Sequence, residues 1–275
     1  MEIVLAKMVG SYNQFMWKNR DLRSADFPLL SSNWQVPAII VVYMLTVLKF
    51  GPRFMATRKA YDLTKYIRMY NIVQIVTNGV LFSFLVYHLL KRPTMSYVCQ
   101  SVDFSKTTSG YEELYILYAY FVLKILDLSD TVFFVLRKKQ SQVTFLHVYH
   151  HSIMVLISYY GTLFVPGGHN FVLVLWNSIG HSLLYLYYNL TTYKSPLAAR
   201  YKIYLTRMQL AQFVYLVVHY GRPALTGMDC GFPKLWHWTG FTQTLFFLGM
   251  FLDFYVKSYI KRNVEKDGKI DRKAD

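Results

Sequence analysis

The sequence predicts an all-α integral membrane protein with seven transmembrane helices. Three observations predict it. Hydrophobic residues make up 54% of the chain and charged residues only 16%, against about 25% charged in soluble domains. The apolar residues gather into seven segments, each near the roughly 20 residues that a helix needs to cross a bilayer. No sustained polar–apolar alternation of the kind a membrane β-barrel requires is found.

The seven segments lie near 32–50, 70–90, 111–136, 144–165, 169–191, 201–221 and 235–259. Turn chemistry separates them. Gly51-Pro52 is expected to end the first, Pro166-Gly167-Gly168 to make a tight turn, and Pro196 and Pro233 to sit in connections. Residues 1–30 hold no apolar run of signal-peptide length, so no cleaved signal is expected. The loops are too short for a second domain and no fixed repeat occurs. The expectation is one polytopic domain over 1–275, with a non-cytosolic segment at 1–31 and a basic tail at 260–275.

The net charge of +15 is the one feature that suggests a nucleic-acid binder, and apolar segments this long and continuous exclude that class. The basic residues lie between the segments, where lipid headgroups or an acidic substrate would meet them. Eighteen Lys and Arg fall on the side that holds the tail and nine on the other. Basic loops stay cytosolic, so the C-terminus is expected in the cytosol and the N-terminus outside it. The sequon Asn189-Leu190-Thr191 then lies at a cytosolic helix end, away from the glycosylation machinery. Arg272-Lys273, near the end of the chain, is similar to a dibasic retrieval signal read from the cytosol.

Ionisable and amide side chains in such helices mark function. The third segment carries Lys124, Asp127 and Asp130 at spacing three, which puts them on one side of a helix. The fourth opens with His147, His150 and His151, and the fifth carries Asn177, His181, Tyr185 and Tyr188 as one stripe. The sixth carries Thr206, Gln209 and Gln212. By the predicted topology all four groups share the cytosolic half of the membrane. Interhelical hydrogen bonds would account for the glutamines and tyrosines, but they account poorly for three clustered imidazoles beside two carboxylates. His88, His169, His219 and His237 look like interface or loop residues on the far side.

Three chemistries fit the imidazoles. Histidine boxes hold two irons in membrane desaturases and hydroxylases, but His147, His150, His151 and His181 are too few for that cage, so no metal is expected. A transporter or seven-helix receptor would use the same groups as a proton relay, although the paired broken helices of many transporters are absent. The third is acyl transfer, in which imidazole acts as nucleophile and base. A cavity open to the cytosol would admit an acidic carrier past the basic rim, and His150 to Val165 would run roughly 22 Å along a helix, enough for a long acyl chain.

Four ordered motifs and a loop carry a resemblance. They are Lys124-Ile125-Leu126-Asp127-Leu128-Ser129-Asp130-Thr131, the box His147-Val148-Tyr149-His150-His151, Asn177 with His181 through Tyr188, and Thr206-Arg207-Met208-Gln209-Leu210-Ala211-Gln212. The loop Leu136-Arg137-Lys138-Lys139 leads through Thr144-Phe145-Leu146 into the box. Over essentially its whole length the chain resembles the very-long-chain fatty acid elongases, condensing enzymes of the endoplasmic reticulum. It departs from their pattern at Asp127, where glutamate is usual, and at Leu184, where methionine is usual.

The resemblance implies a helical barrel around an acyl tunnel. It also implies condensation of acyl-CoA with malonyl-CoA without a cofactor, by an acyltransferase of the endoplasmic reticulum membrane. His150 would carry the acyl group, with His147, His151 and His181 moving protons and orienting the reactants. Lys124, Asp127 and Asp130 would frame the histidines, while Asn177, Gln209 and Gln212 would donate to developing oxyanions and Tyr185 and Tyr188 would line the cavity. Arg137, Lys138, Lys139 and Arg207, with Arg200 and Lys202, would meet CoA phosphates. Its expected partners are the two CoA substrates, the bilayer, other enzymes of the elongation cycle and a second copy of the chain, with no nucleic acid.

The two cysteines, Cys99 and Cys230, both fall in loops on the non-cytosolic side. That compartment is oxidising, so a disulfide between them is expected. Non-reducing peptide mapping should recover a linked Cys99–Cys230 peptide; a free Cys99 peptide would contradict the pairing.

Overall fold

The computed structural model describes residues 2–261, with 2–6 and 261 described by backbone alone. Nearly all of the tail at 260–275, Arg272-Lys273 included, lies outside the described residues. All seven apolar segments are helical, and no strand occurs among the described residues. An additional helix, α1 (Glu2–Asn19), occupies the N-terminal segment. It lacks an apolar run and is held by packing, since Met16 is 1% exposed within the main core.

The first apolar segment runs on as one rod, Gln35–Ala56. It comprises α2 (Gln35–Leu45), a π turn (Thr46–Phe50) and α3 (Gly51–Ala56). Gly51-Pro52 therefore does not end the span. Pro52 stands in the first turn of α3, where its missing N–H is not needed, and the wider π turn before it absorbs the break in the hydrogen-bond ladder.

Helix α4 (Thr64–Leu90) follows Asp62, whose carboxylate accepts from Thr64 N at 3.0 Å and Thr64 Oγ1 at 2.6 Å. The Thr64 hydroxyl holds the Asp62 carboxyl below the usual range. Helices α5 (Thr108–Leu136) and α6 (Phe145–Phe164) begin at threonine caps, Thr107 and Thr144, each accepting a backbone N–H of the first turn. The turn into α7 (Phe171–Thr192) uses Gly167 at φ 141° and Gly168 at φ 56°. A Cβ on Gly167 would collide with the Glu113 carboxylate.

Helix α8 (Pro196–Thr226) starts at Pro196 behind a Ser195 cap, so this proline opens the helix rather than sitting in the connection, with its fixed φ suiting the first turn. It ends on Gly227 in the left-handed conformation. Helix α9 (Lys234–Tyr255) begins directly after Pro233 and continues as a π turn, Val256–Lys261.

The chain packs as two compact units, one ending at Ser182 and the other beginning at Leu183. In the first, α5 and α6 pack along each other, with α2, α3 and α4 against them. Phe121, Val135, Val155, Tyr159 and Leu163 from the first two meet Val36, Val47 and Met55 from the Gln35–Ala56 rod. At one end the wholly buried Glu113 binds Arg92 Nη1 and accepts from Asp103 N at 3.1 Å, while His88 Nδ1 lies 2.8 Å from Glu112. His88, His169, His219 and His237, expected at interfaces or in loops, are all buried. Neither Cys99 nor Cys230 is a free thiol.

Two helices, Gln35–Ala56 and Thr64–Leu90, are by themselves long and apolar enough to cross a membrane. Only 22% and 33% of their most apolar windows are buried, which a soluble core helix would not tolerate. Val41, Val42, Leu48, Val76 and Val80 stand exposed, a surface suited to lipid and not to water.

The second unit is built on α8 against α9. Phe213 meets Phe247 and Phe251 at centroid distances of 5.9 and 4.8 Å, and Thr206 Oγ1 lies 3.2 Å from Tyr259 Oη. Glycines on each helix seat an aromatic ring of the other, Gly221 under Phe241 and Gly240 under Tyr220. A Cβ on Gly240 would lie 2.5 Å from the Tyr220 ring. Gly240→Ala should therefore lower the melting temperature in detergent, at a cost of about 1–3 kcal/mol. Gly249→Ala, with nothing within 4 Å, should leave it unchanged; equal melting of the two variants would contradict this packing.

Candidate active site

Helix α5 supplies the charged centre. Residues three apart face the same way, and Lys124 Nζ donates to Asp127 Oδ2 at 2.7 Å, with the side chains 2% and 3% exposed. The shorter acid at position 127 thus reaches its lysine. Burying two charges costs several kcal/mol each unless their remaining capacity is filled. Gln74 on α4 fills it, donating through Nε2 to Asp127 Oδ1 at 2.8 Å. The same nitrogen lies 2.8 Å from Tyr70 Oη, and Asn78 Nδ2 donates to Gln74 Oε1 at 3.1 Å.

Helix α7 brings His181 to this pair. Its Nδ1 is 2.9 Å from the Asn177 carbonyl oxygen. A carbonyl only accepts, so Nδ1 carries the proton of the neutral ring and Nε2 keeps its lone pair. Nε2 lies 3.7 Å from Asp127 Oδ2, beyond hydrogen-bond length.

Helix α6 brings the other imidazoles in its first two turns. His147 Nε2 lies 2.9 Å from Thr131 Oγ1 on α5, and that hydroxyl lies 2.7 Å from Tyr43 Oη on α2. The rings of His147 and His151 are 4.3 Å apart by centroid, and those of His150 and His151 are 5.5 Å apart. Charge interactions couple His150 to His181, Lys124, His147 and Asp127, and couple His151 to His147, His150, Lys124 and His181.

The first unit thus gathers Lys124, Asp127, His147, His150, His151 and His181 into one electrostatic cluster. Asp130 is half-buried and interacts with Tyr43. Asn177 is 5% exposed, and its Oδ1 accepts no hydrogen bond among the described residues. Arg137 closes α5 and interacts with Asp62, Lys138 takes a left-handed turn (φ 55°), and Lys139 is exposed. Among the described residues no group of three or more His, Cys, Asp or Glu is arranged to hold a metal.

In the second unit, Tyr185 is buried and stacks edge-on to Tyr188 at 5.8 Å. Gln212 is buried, Gln209 is half-buried, and Arg207 is exposed with Nε 3.3 Å from Tyr255 Oη.

The motifs did not point to Tyr43, Tyr70, Gln74 or Asn78. A signal for the α4 group was present: Asn71, Gln74 and Asn78 recur at spacing three and four, and all are at most 1% exposed in an apolar helix. Tyr43 carries no such signal, being one aromatic among many.

A buried lysine–carboxylate pair on α5, with imidazoles from the next two helices beside it, narrows the class, and relatives fix it. The chain belongs to the GNS1/SUR4 family, whose pattern it matches over residues 28–267. It is 36% identical over 261 residues to very long chain fatty acid elongase 4 of Mus musculus, covering 94% of this chain and 82% of that protein. With very long chain fatty acid elongase 1 of the same organism it shares 32% over 271 residues, 95% of each. With very long chain fatty acid elongase 7 of Drosophila melanogaster it shares 31% over 268 residues, 94% and 79%.

Lys124→Met would strand the Asp127 carboxylate in the core, so thermal unfolding should show a loss of about 3–5 kcal/mol. Adding Asp127→Leu should recover most of it. A double variant no more stable than Lys124→Met would show that the charges do not act as a pair.

Proposed function

We propose that the chain is an acyltransferase that condenses a long-chain acyl-CoA with malonyl-CoA, giving a 3-oxoacyl-CoA two carbons longer, free CoA and carbon dioxide. The observation that carries this reading is the imidazole cluster held around the buried Lys124–Asp127 pair, in a chain that belongs to the elongase family.

In the first half-reaction an imidazole nitrogen of His150 attacks the acyl carbonyl. The carbon–sulfur bond breaks, the His150 ring gives up its N–H proton, CoA leaves as the thiol carrying that proton, and the acyl group stays as a neutral acyl-imidazole. In the second, the malonyl carboxylate leaves as carbon dioxide and its electron pair forms the enolate of acetyl-CoA. The enolate carbon attacks the acyl-imidazole, the carbon–nitrogen bond breaks, and the leaving imidazole nitrogen takes up one proton from water, so the neutral ring returns. Decarboxylation supplies the carbon nucleophile, so no redox cofactor takes part.

His181 keeps Nε2 unprotonated because Nδ1–H is committed to Asn177. It is suited to move protons near the forming enolate, while Lys124 and the Asn177 amide favour negative charge there. His147 and His151 orient His150. Gln209 and Gln212 are further amide donors, Tyr185 and Tyr188 line the cavity, and Arg137, Lys138, Lys139 and Arg207 meet CoA phosphates.

The setting belongs to the same proposal. The apolar segments are seven membrane spans of one domain, forming a helical barrel around an acyl tunnel in the endoplasmic reticulum membrane. The 18-to-9 asymmetry of basic residues supports a cytosolic C-terminus and a lumenal N-terminus. Other elongation-cycle enzymes and a second copy of the chain are its protein partners.

Membranes carrying the chain should incorporate labelled malonyl-CoA into two-carbon-longer products, and the product lengths across an acyl-CoA panel give its specificity. His150→Ala should abolish incorporation while accumulating as folded protein. Normal product from that variant would overturn the acyl-imidazole.

A further inference from the structure

Helix α4 contributes no histidine or motif to the reaction as written above, yet its Gln74 is wholly buried and makes the bond that Asp127 needs. Asp127 has two oxygens. Oδ2 takes Lys124 at 2.7 Å and faces His181 Nε2 at 3.7 Å. Oδ1 takes the amide of Gln74 at 2.8 Å. The amide cannot turn over to offer its oxygen instead, because Oε1 already accepts from Asn78 Nδ2 at 3.1 Å. Asn78 Nδ2 is anchored in turn to the Gln74 backbone carbonyl at 2.9 Å.

We propose that Gln74 is a positioning residue for the condensation. By donating to Oδ1 it fixes the rotamer of Asp127, so that Oδ2 meets Lys124 and stands beside His181 Nε2, placed to steady that nitrogen when it takes up a proton. The groups facing the Asp127 carboxylate are Lys124 on its own helix, His181 on α7, His150 on α6 through charge, and Gln74 beside Tyr70 on α4. The Gln74 amide does not titrate, and it therefore sets the geometry at every pH at which the chain works. The proposal rests on the elongase reading.

Glutamate is close to glutamine in shape, so Gln74→Glu tests this directly. While the introduced carboxyl is protonated, its O–H donates to Asp127 Oδ1 as the amide does. Once ionised, it places two carboxylates in contact. Gln74→Glu should condense like the unaltered chain at low pH. As pH rises and the introduced carboxyl loses its proton, the variant should lose about tenfold or more in kcat relative to the unaltered chain. Gln74→Met, of similar length but with no donor, should lose about ten- to hundredfold in kcat at every pH, with KM for malonyl-CoA little changed.

Rates are taken per folded molecule, so a purely structural role for Gln74 would lower yield and leave both kcat and the pH profile parallel to the unaltered chain. That outcome would overturn the proposal while leaving the elongase reading intact. If Gln74→Glu does not accumulate, the kcat of Gln74→Met decides alone. No condensation by the unaltered chain would overturn the elongase reading and this proposal with it.

Discussion

Lys124 and Asp127 sit three residues apart on α5, both nearly inaccessible to water. Two opposite charges in such a place are tolerated only if each finds its partner and every spare lone pair is used. That demand fixes much around it. Asp127 needs a second donor, so α4 must present Gln74 at one register. The imidazole of His181 on α7 stands 3.7 Å from the same carboxylate. A one-residue slip of α4 against α5 would leave a carboxylate oxygen of Asp127 without its donor in the core, so the pair works as a register pin for these two helices.

The same pin makes the chemistry available. An imidazole beside an ionised carboxylate and a lysine sits in a field that handles both the negative charge of an enolate and the proton that must move. The Asn177 carbonyl chooses the tautomer of His181, and the Thr131–Tyr43 pair holds His147. The carboxylate of Asp127, not an imidazole, answers the lysine charge. A neutral imidazole carries one nitrogen lone pair, the electron pair that the proposed reaction takes from His150 to a thioester. In the proposed reaction the charged pair is scaffold and the imidazoles are reagents, a division of labour that a structural ion pair alone would not require.

The helices were legible because lipid-suited segments announce themselves by length and continuity. The polar side chains on α5, α6 and α7 were legible because they break that continuity at helical spacing. Helix α1 was not, since it folds on the packing of Met16 and its neighbours rather than on an apolar run. Gly51-Pro52 read as a stop because sequence punctuation does not reveal that a π turn can carry a helix past a proline. The partners Gln74 and Tyr43 escaped for another reason: a hydrogen bond between helices depends on which faces meet, which is set by tertiary packing. The burial of His88 against Glu112 is of the same kind.

The central claim is that His150 becomes acylated before malonyl-CoA is engaged. Intact-mass measurement of the purified protein after exposure to acyl-CoA alone tests it most directly. The account predicts a mass increase equal to the acyl group, mapped to the peptide bearing His150 and discharged on adding malonyl-CoA. A protein that stays at its original mass with acyl-CoA alone, yet makes 3-oxoacyl-CoA as soon as both substrates are present, would contradict it.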